Sequence, residues 1–247
     1  MHGHIFERVT PYGYMSYFIN DGAFVESLNS GKIYEQEIVL SYLAENIKSS
    51  SLAIDAGAHA GSYVVMMKYL NPDLIIHAFE PQKKMFQLLN YNVEKNNFKN
   101  VFTYNNALAN KCIQTSMSES ISDGPNSNTK VKEEFYGSNI HLNLGGMQLG
   151  EGGEVIETTT IDNMNLDKCD LIKIDTEGAE PLVLMGAQEI IKKFKPVIIF
   201  ENNYKKLNED YIKIFDVSKN SFDILKSFGY SKIVSTNMYW TYIAYPD

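Results

Sequence analysis

Asp55, Gly57 and Gly61 stand in the pattern D-x-G-x-x-x-G, directly after the short apolar run Leu52-Ala53-Ile54. A buried strand that turns sharply into a helix needs glycine where a side chain would block the turn or an approaching ligand, and an aspartate closing the strand points toward whatever fills that space. Such a loop suits a nucleotide-like ligand. It has neither the G-x-G-x-x-G of a dinucleotide site nor the G-x-x-x-x-G-K-[ST] of a phosphate-cradling loop, so both of those readings lose ground. Glu80 ends the next apolar run, where a carboxylate accepts two hydrogen bonds from ribose hydroxyls. Asn106 and Ala107 follow the third run, where an amide could reach an adenine and a small residue leaves room for its face. The simpler alternatives are a strand-to-helix turn without a ligand and a turn asparagine.

A second group of reactive side chains closes the run Leu171-Ile172-Lys173-Ile174: Asp175, Glu177 and Glu180, followed after residues 196–200 by Glu201-Asn202-Asn203. Glu177 and Glu180 head a helical pattern over residues 181–194, where capping and the helix dipole account for both. Asp175 instead ends a buried strand beside the first one, and with Glu201 it puts two carboxylates on adjacent strand ends. Such a pair calls for a proton, a cation or a hydroxyl donor between them. His141, in a polar stretch, is a base by chemistry alone, and an exposed loop histidine is its commoner meaning.

These side chains need a frame. The 247 residues, 44% of them hydrophobic, suit one sizeable core, and the net charge of −8 argues against non-specific grip on nucleic acid or anionic membrane. Cys112 and Cys169 have no metal-ligand spacing and read as inert packing thiols of a reduced compartment. No apolar run reaches the 18 or so residues of a membrane helix, and Met1-His2-Gly3-His4 does not begin a signal peptide, so a soluble, cytoplasmic protein is expected. Residues 1–33 read as an N-terminal β-hairpin appendage, with strands over 14–19 and 23–28 around Asn20-Asp21-Gly22. Residues 34–47 follow as a helix with Glu35 and Glu37 near its start, where the dipole explains them. From there strands (52–55, 74–79, 101–104, 171–174, 196–200) alternate with helices (60–70, 82–94, 181–194), the signature of an α/β fold with a mainly parallel sheet covered on both faces. A helix over 222–228, capped by Gly229, and a hairpin of 230–234 with 239–245 close residues 34–247 as the main domain. Residues 119–153 are rich in Ser, Asn, Gly and charge, make no core of their own, and read as a lid or substrate loop carrying Phe135, Tyr136, His141 and Leu142.

Seven motifs in this order resemble the FkbM family of class I S-adenosylmethionine-dependent O-methyltransferases: Ile54 to Gly61, Ala78-Phe79-Glu80-Pro81, Asn106-Ala107-Leu108, Thr160-Ile161-Asp162, Lys173 to Glu180, Pro196 to Glu201 and Ile243-Ala244-Tyr245-Pro246. The resemblance covers about residues 50–246. The family usually has asparagine where this chain has His59, and the N-terminal appendage has no counterpart in its pattern. What the resemblance implies is a Rossmann-like, mainly parallel seven-stranded sheet and S-adenosyl-L-methionine as cofactor, surrounded by Asp55, Gly57, Ala58, His59, Gly61, Glu80, Asn106, Ala107 and Asp175. It also implies methyl transfer to a hydroxyl acceptor, a sugar of a glycan or of a glycosylated small molecule. An in-line displacement needs the acceptor oxygen aligned and stripped of its proton, which assigns Asp175, Glu177 and Glu201 to the chemistry. Asp175 with Glu201-Asn202 further resembles the metal ligands of catechol-type O-methyltransferases, where Mg²⁺ acts as a Lewis acid, although Gly178 stands where those enzymes carry a lysine. Two rivals have their own signatures. An RNA ribose 2′-O-methyltransferase would use Lys173, Asp175, Lys195 and Glu201, against which the acidic balance speaks. A non-catalytic module kept for protein contacts predicts loss of the glycine turn or of Asp175, and both are present.

Overall fold

A computed structural model describes residues 5–122, 126–132, 135–202, 209–236 and 240–247, with residues 209–211 described in backbone only. The chain opens with an antiparallel hairpin of β1 (Ile5–Thr10) and β2 (Gly13–Phe18). Where a second strand is expected over 23–28, the chain forms helix α1 (Gly22–Asn29). Asn20-Asp21-Gly22 starts that helix instead of turning a hairpin: the Asp21 carbonyl accepts the Val25 N–H at 2.9 Å, and Phe24 and Leu28, four residues apart, put Leu28 into the core. Helix α2 (Gln36–Ile38) passes through a π-helical stretch (Val39–Leu43) into α3 (Ala44–Ser49).

The alternating part follows as β3 (Leu52–Ala56), α4 (Ser62–Leu70), β4 (Ile75–Phe79), α5 (Lys83–Lys95) and β5 (Val101–Tyr104). A second sheet is built from β6 (Ala107–Leu108), β7 (Gln114–Ile121), β8 (Met147–Leu149) and β9 (Gly152–Thr159). The first sheet resumes with β10 (Leu171–Ile174), α6 (Glu180–Met185), α7 (Gln188–Phe194), β11 (Val197–Glu201), α8 (Glu209–Phe215), α9 (Ser221–Ser227), β12 (Lys232–Ser235) and β13 (Thr241–Tyr245). Its order is β12-β13-β11-β10-β3-β4-β5, parallel from β11 to β5, with β13 antiparallel to both neighbours. Helices on both faces make its middle strands mostly apolar, so Ile54, Ala56, Ile172, Ile174, Ile198 and Phe200 are all buried. The order reverses between β3 and β10, which leaves a crevice at their carboxyl ends.

Three local expectations differ from the structure for identifiable reasons. The N-terminal hairpin is packed into the main core rather than appended to it. Met15 and Tyr17 are fully buried, Asn92 of α5 pairs with both backbone groups of Ser16, and the Tyr17 hydroxyl lies 2.7 Å from Ser62 Oγ. The stretch 119–153 does contribute to a core, through Ile121, Leu142, Leu144, Met147 and Leu149. A Cβ on Gly153 would press on the backbone of β7, so the glycine permits the close pairing of β9 with β7. The helix expected over 181–194 is interrupted between Met185 and Gln188, where Gly186, having no side chain, lets the chain lie against the Ala109 carbonyl.

Cys169 is buried, whereas Cys112 is exposed beside Asn163 rather than packed. Residues 237–239, within the expected last hairpin, and Asn203 lie outside the described residues. Among the described residues no helix is long and apolar enough to cross a membrane.

Candidate active site

A cavity of about 230 Å³ lies at the carboxyl ends of β3, β4, β10 and β11, in the crevice where the strand order reverses. One side is formed by the β3–α4 turn. Gly57 (φ +75°) lines it, and a Cβ there would collide with the Asp175 carbonyl, so glycine is what lets the ends of β3 and β10 meet. The N–H groups of Gly57 and Ala58 donate to the Phe79 carbonyl at 3.0 and 2.9 Å, tying the turn to β4.

Glu80, at the end of β4, is buried, and its two oxygens accept the N–H groups of His59 and Gln82 at 2.9 and 2.8 Å. Burial pushes its carboxyl up, against the opposing pull of His59 and those N–H groups. Each oxygen keeps lone-pair capacity toward the cavity it lines. Asn106 and Ala107 line the same side, the Asn106 amide resting 3.4 Å from the Glu157 carbonyl. Leu108, Met117, Met147 and Leu149 give that end an apolar wall, the last two from the stretch expected to be a lid.

Three expected cofactor residues lie elsewhere. Asp55 does not point into the cavity. It is wholly buried under the turn, 3.2 Å from Lys173 Nζ, because Lys173 is its cross-strand partner in register. Lys173 Nζ also donates to the Gly57 carbonyl at 2.7 Å and stands 3.5 Å from Asp175. Burial raises the Asp55 carboxyl while Lys173 opposes the rise. Burial works against the Lys173 ammonium too, yet Asp55, Asp175 and Glu35 hold it above its usual range. Asp55 therefore braces the turn from behind. Ala58 is buried outside the lining, and Gly61 (φ +92°) begins α4 where a Cβ would stand 2.8 Å from Leu89 Cδ1, so it serves helix packing.

The other side carries the acids. Asp175, Glu177 and Glu201 all line the cavity, and one carboxylate oxygen of each lies within 4.8 Å of the others. Burial, then Asp175 and Glu177, push Glu201 up to about 10. Glu180 does not join them: its Oε1 accepts the N–H groups of Thr176 and Gly178 at 2.9 and 3.1 Å, which ties down the turn before α6 rather than capping the helix. Asn202 is outside the lining, its backbone N–H donating to the Trp240 carbonyl at 2.9 Å, whereas Glu177 lines the cavity beside Asp175 and Glu201. Lys195 is exposed and precedes β11 at the far edge of the sheet, so the four residues of the RNA-type set do not converge. His141 is exposed and outside the cavity.

The N-terminal segment adds four site residues that escaped sequence reasoning: Asp21, Phe24, Tyr34 and Glu35. His59 Nε2 lies 3.1 Å from the buried Asp21 carboxylate, and Phe24 is sandwiched between His59 and Tyr34 with ring centroids 4.4 and 4.1 Å away. Glu35 lines the cavity near Asp175, and burial, then Asp175, raise it to about 7 with Lys173 opposing. The available signal was Asp21-Gly22 ahead of Phe24 and Leu28, a helix start; nothing local marked Glu35.

Burial pulls the His59 imidazole down, but Asp21 outweighs it and holds the pKa above the ordinary 6.5. A raised pKa in the folded state adds stability that is complete below the unfolded value and disappears as pH rises through the folded value. The stability lost in Asp21→Asn, measured by thermal melts, is accordingly largest below pH 6.5 and shrinks as pH rises beyond His59's raised value. A pH-independent loss would remove the ion pair as its cause.

The sheet order and the placement of the cavity define a Rossmann-like α/β protein with its ligand crevice at the switch point. Residues 55–231 match the model of the methyltransferase FkbM domain, which is more than half of the chain. A methyltransferase, sdnD, from Sordaria araneosa is 28% identical over 176 residues, 60% of this chain; the chain spans 64% of that relative's length. A crystal structure of an FkbM methyltransferase from Methylobacillus flagellatus is 17% identical, with a TM-score of 0.49 over 79% of this chain and 43% of its own. An S-adenosylmethionine-dependent O-methyltransferase from Thermotoga maritima is 10% identical, with a TM-score of 0.48 over 98% of this chain and 77% of its own. The chain belongs to the FkbM methyltransferase family.

Proposed function

We propose that the protein transfers a methyl group from S-adenosylmethionine to a hydroxyl of a sugar, carried on a glycan or on a glycosylated small molecule. What carries this reading is the two-sidedness of the cavity: a buried carboxylate, Glu80, beside a small apolar recess on one side, and three clustered acids on the other. Glu80 has oxygen lone pairs for a ribose, Ala107 and Leu108 flank room for an adenine, and Gly57 and His59 lie toward the amino-acid part. The bound cofactor supplies an electrophilic methyl on a sulfonium.

Asp175, Glu177 and Glu201 hold the acceptor hydroxyl, and Asp175 or Glu177 takes up its proton as the new C–O bond forms and the methyl–sulfur bond breaks, with S-adenosylhomocysteine as leaving group. Burial beside Asp175 and Glu177 keeps a proton on Glu201 near neutrality, which leaves the other two as acceptors. One observation favours a second reading: the spacing of the three acids also suits a divalent cation such as Mg²⁺, which would act there as a Lewis acid. Loss of activity in EDTA, restored by Mg²⁺, would select it.

Two experiments test the proposal. A panel of methyl glycosides incubated with methyl-labelled cofactor and read by mass is expected to yield a product heavier by one labelled methyl, with the label on a sugar oxygen; label on nitrogen, or on RNA in a parallel reaction, would overturn the acceptor class. Glu80→Ala is expected to weaken cofactor binding by tenfold or more in calorimetry, because it removes two charge-assisted hydrogen bonds of about 1.5–3 kcal/mol each before solvent compensation. Unchanged affinity would displace the ribose from Glu80.

A further inference from the structure

We propose that Glu35, outside the family-matched residues, belongs to the methyl-transfer centre, where it faces the transferred methyl group with Asp175 and Glu201 and accepts a hydrogen bond from the acceptor. This rests on the reading of the cavity as the cofactor and acceptor site. Glu35 lines the main cavity and also, with Tyr63, Lys173, Asp175 and Glu201, a small recess next to it. Two segments far apart in the chain thus bring acids to one point, one from the carboxyl ends of β10 and β11 and one from the turn before α2.

The backbone at that turn is left-handed, φ +60° and ψ 16°, a conformation that glycine or asparagine adopts far more readily than glutamate. A helix start needs no glutamate there, and complementing the dipole would only require an exposed side chain. The strained conformation instead goes with a side chain turned inward, lining the recess that the buried Tyr63 also lines. Glu180 is committed to two backbone N–H groups and Asp55 to Lys173. A carboxylate has about four lone-pair sites, so Glu35 has capacity for a donor in the cavity. Glu35, Asp175, Glu177 and Glu201 outnumber Lys173, and this imbalance suits a cationic centre together with a hydroxyl that donates.

The test needs no acceptor. Sinefungin carries an ammonium-bearing carbon where the cofactor has its methylsulfonium, and S-adenosylhomocysteine has neither. Calorimetry at about pH 8, above the value of about 7 to which burial raises Glu35, compares the two ligands. The wild type is expected to bind sinefungin roughly tenfold more tightly, the size of one charge-assisted hydrogen bond. In Glu35→Gln that preference should fall to near parity while S-adenosylhomocysteine binds as before, which also reports that the variant is folded. An undiminished preference in Glu35→Gln overturns the proposal, and so does an equal loss of both ligands, which would make Glu35 a wall of the cofactor cavity. If the wild type binds neither ligand, the cofactor reading itself falls, a result distinct from either of these.

Discussion

Lys173→Met is expected to cost about 3–5 kcal/mol of unfolding free energy, the usual loss when one partner of a buried ion pair is removed. Lys173 is 5% exposed and Asp55 is fully buried, so the variant leaves a carboxylate with no cation 3.2 Å away and no route to water. The Gly57 carbonyl also loses its 2.7 Å donor, and Tyr63 loses the ammonium 5.1 Å from its ring centroid. Because Asp55 and Gly57 belong to the turn that shapes the cavity, the damage reaches cofactor binding as well as stability. A second substitution separates the causes: Asp55→Asn in the Lys173→Met background removes the stranded charge and should recover part of the loss, giving a coupling energy by double-mutant cycle. Urea unfolding measures all four proteins. A loss near the ~0–1 kcal/mol of a surface pair would mean that the two groups do not meet in the folded protein.

That pair also shows where sequence reasoning stopped. The strands of the main sheet were readable because each is an apolar run closed by a polar residue: Leu52–Ala56 before the glycine turn, Leu171–Ile174 before Asp175, Val197–Glu201. Such runs follow from burial on both faces and need no knowledge of partners. Which face Asp55 presents, and to whom, depends on register, and the register of β3 with β10 is a long-range fact. A signal was nonetheless present: Asp55 and Lys173 are opposite charges inside two runs that must be buried side by side, and buried charges pair.

The second sheet was hidden for another reason. Strands β7 and β9 are mostly Ser, Thr, Glu and Gly, without an apolar alternation, and their pairing partners are tens of residues away. Helix α1 was misread because Asn-Asp-Gly suits a hairpin turn and a helix start alike, and the decision was made by Leu28 finding the core. Glu35 had an adequate local explanation in the helix dipole, and only the fold brings it near Asp175.

Asp175→Asn is expected to lower the methyl-transfer rate by about 10²–10⁴-fold, the range for loss of general acid–base assistance, with cofactor affinity within a few-fold of wild type. The asparagine keeps the shape of the side chain and leaves Lys173 paired with Asp55, so the turn stays braced. What disappears is a proton acceptor at the end of β10. Glu201→Gln provides the discriminating comparison. Burial beside Asp175 and Glu177 pushes Glu201 up to about 10, so at neutral pH it already carries a proton, and glutamine reproduces a neutral side chain of that shape. With no metal involved, Glu201→Gln should therefore cost far less than Asp175→Asn, on the order of tenfold or below by the net worth of a hydrogen bond. A bound cation would change that ranking, because it would drive the proton off Glu201 and use the carboxylate as a ligand, making both substitutions severe and both rates dependent on Mg²⁺. The ratio of the two rate losses thus reports whether a proton or a cation sits among Asp175, Glu177 and Glu201. Wild-type rates in both variants would take these acids out of the chemistry and leave Glu35 as the carboxylate facing the acceptor.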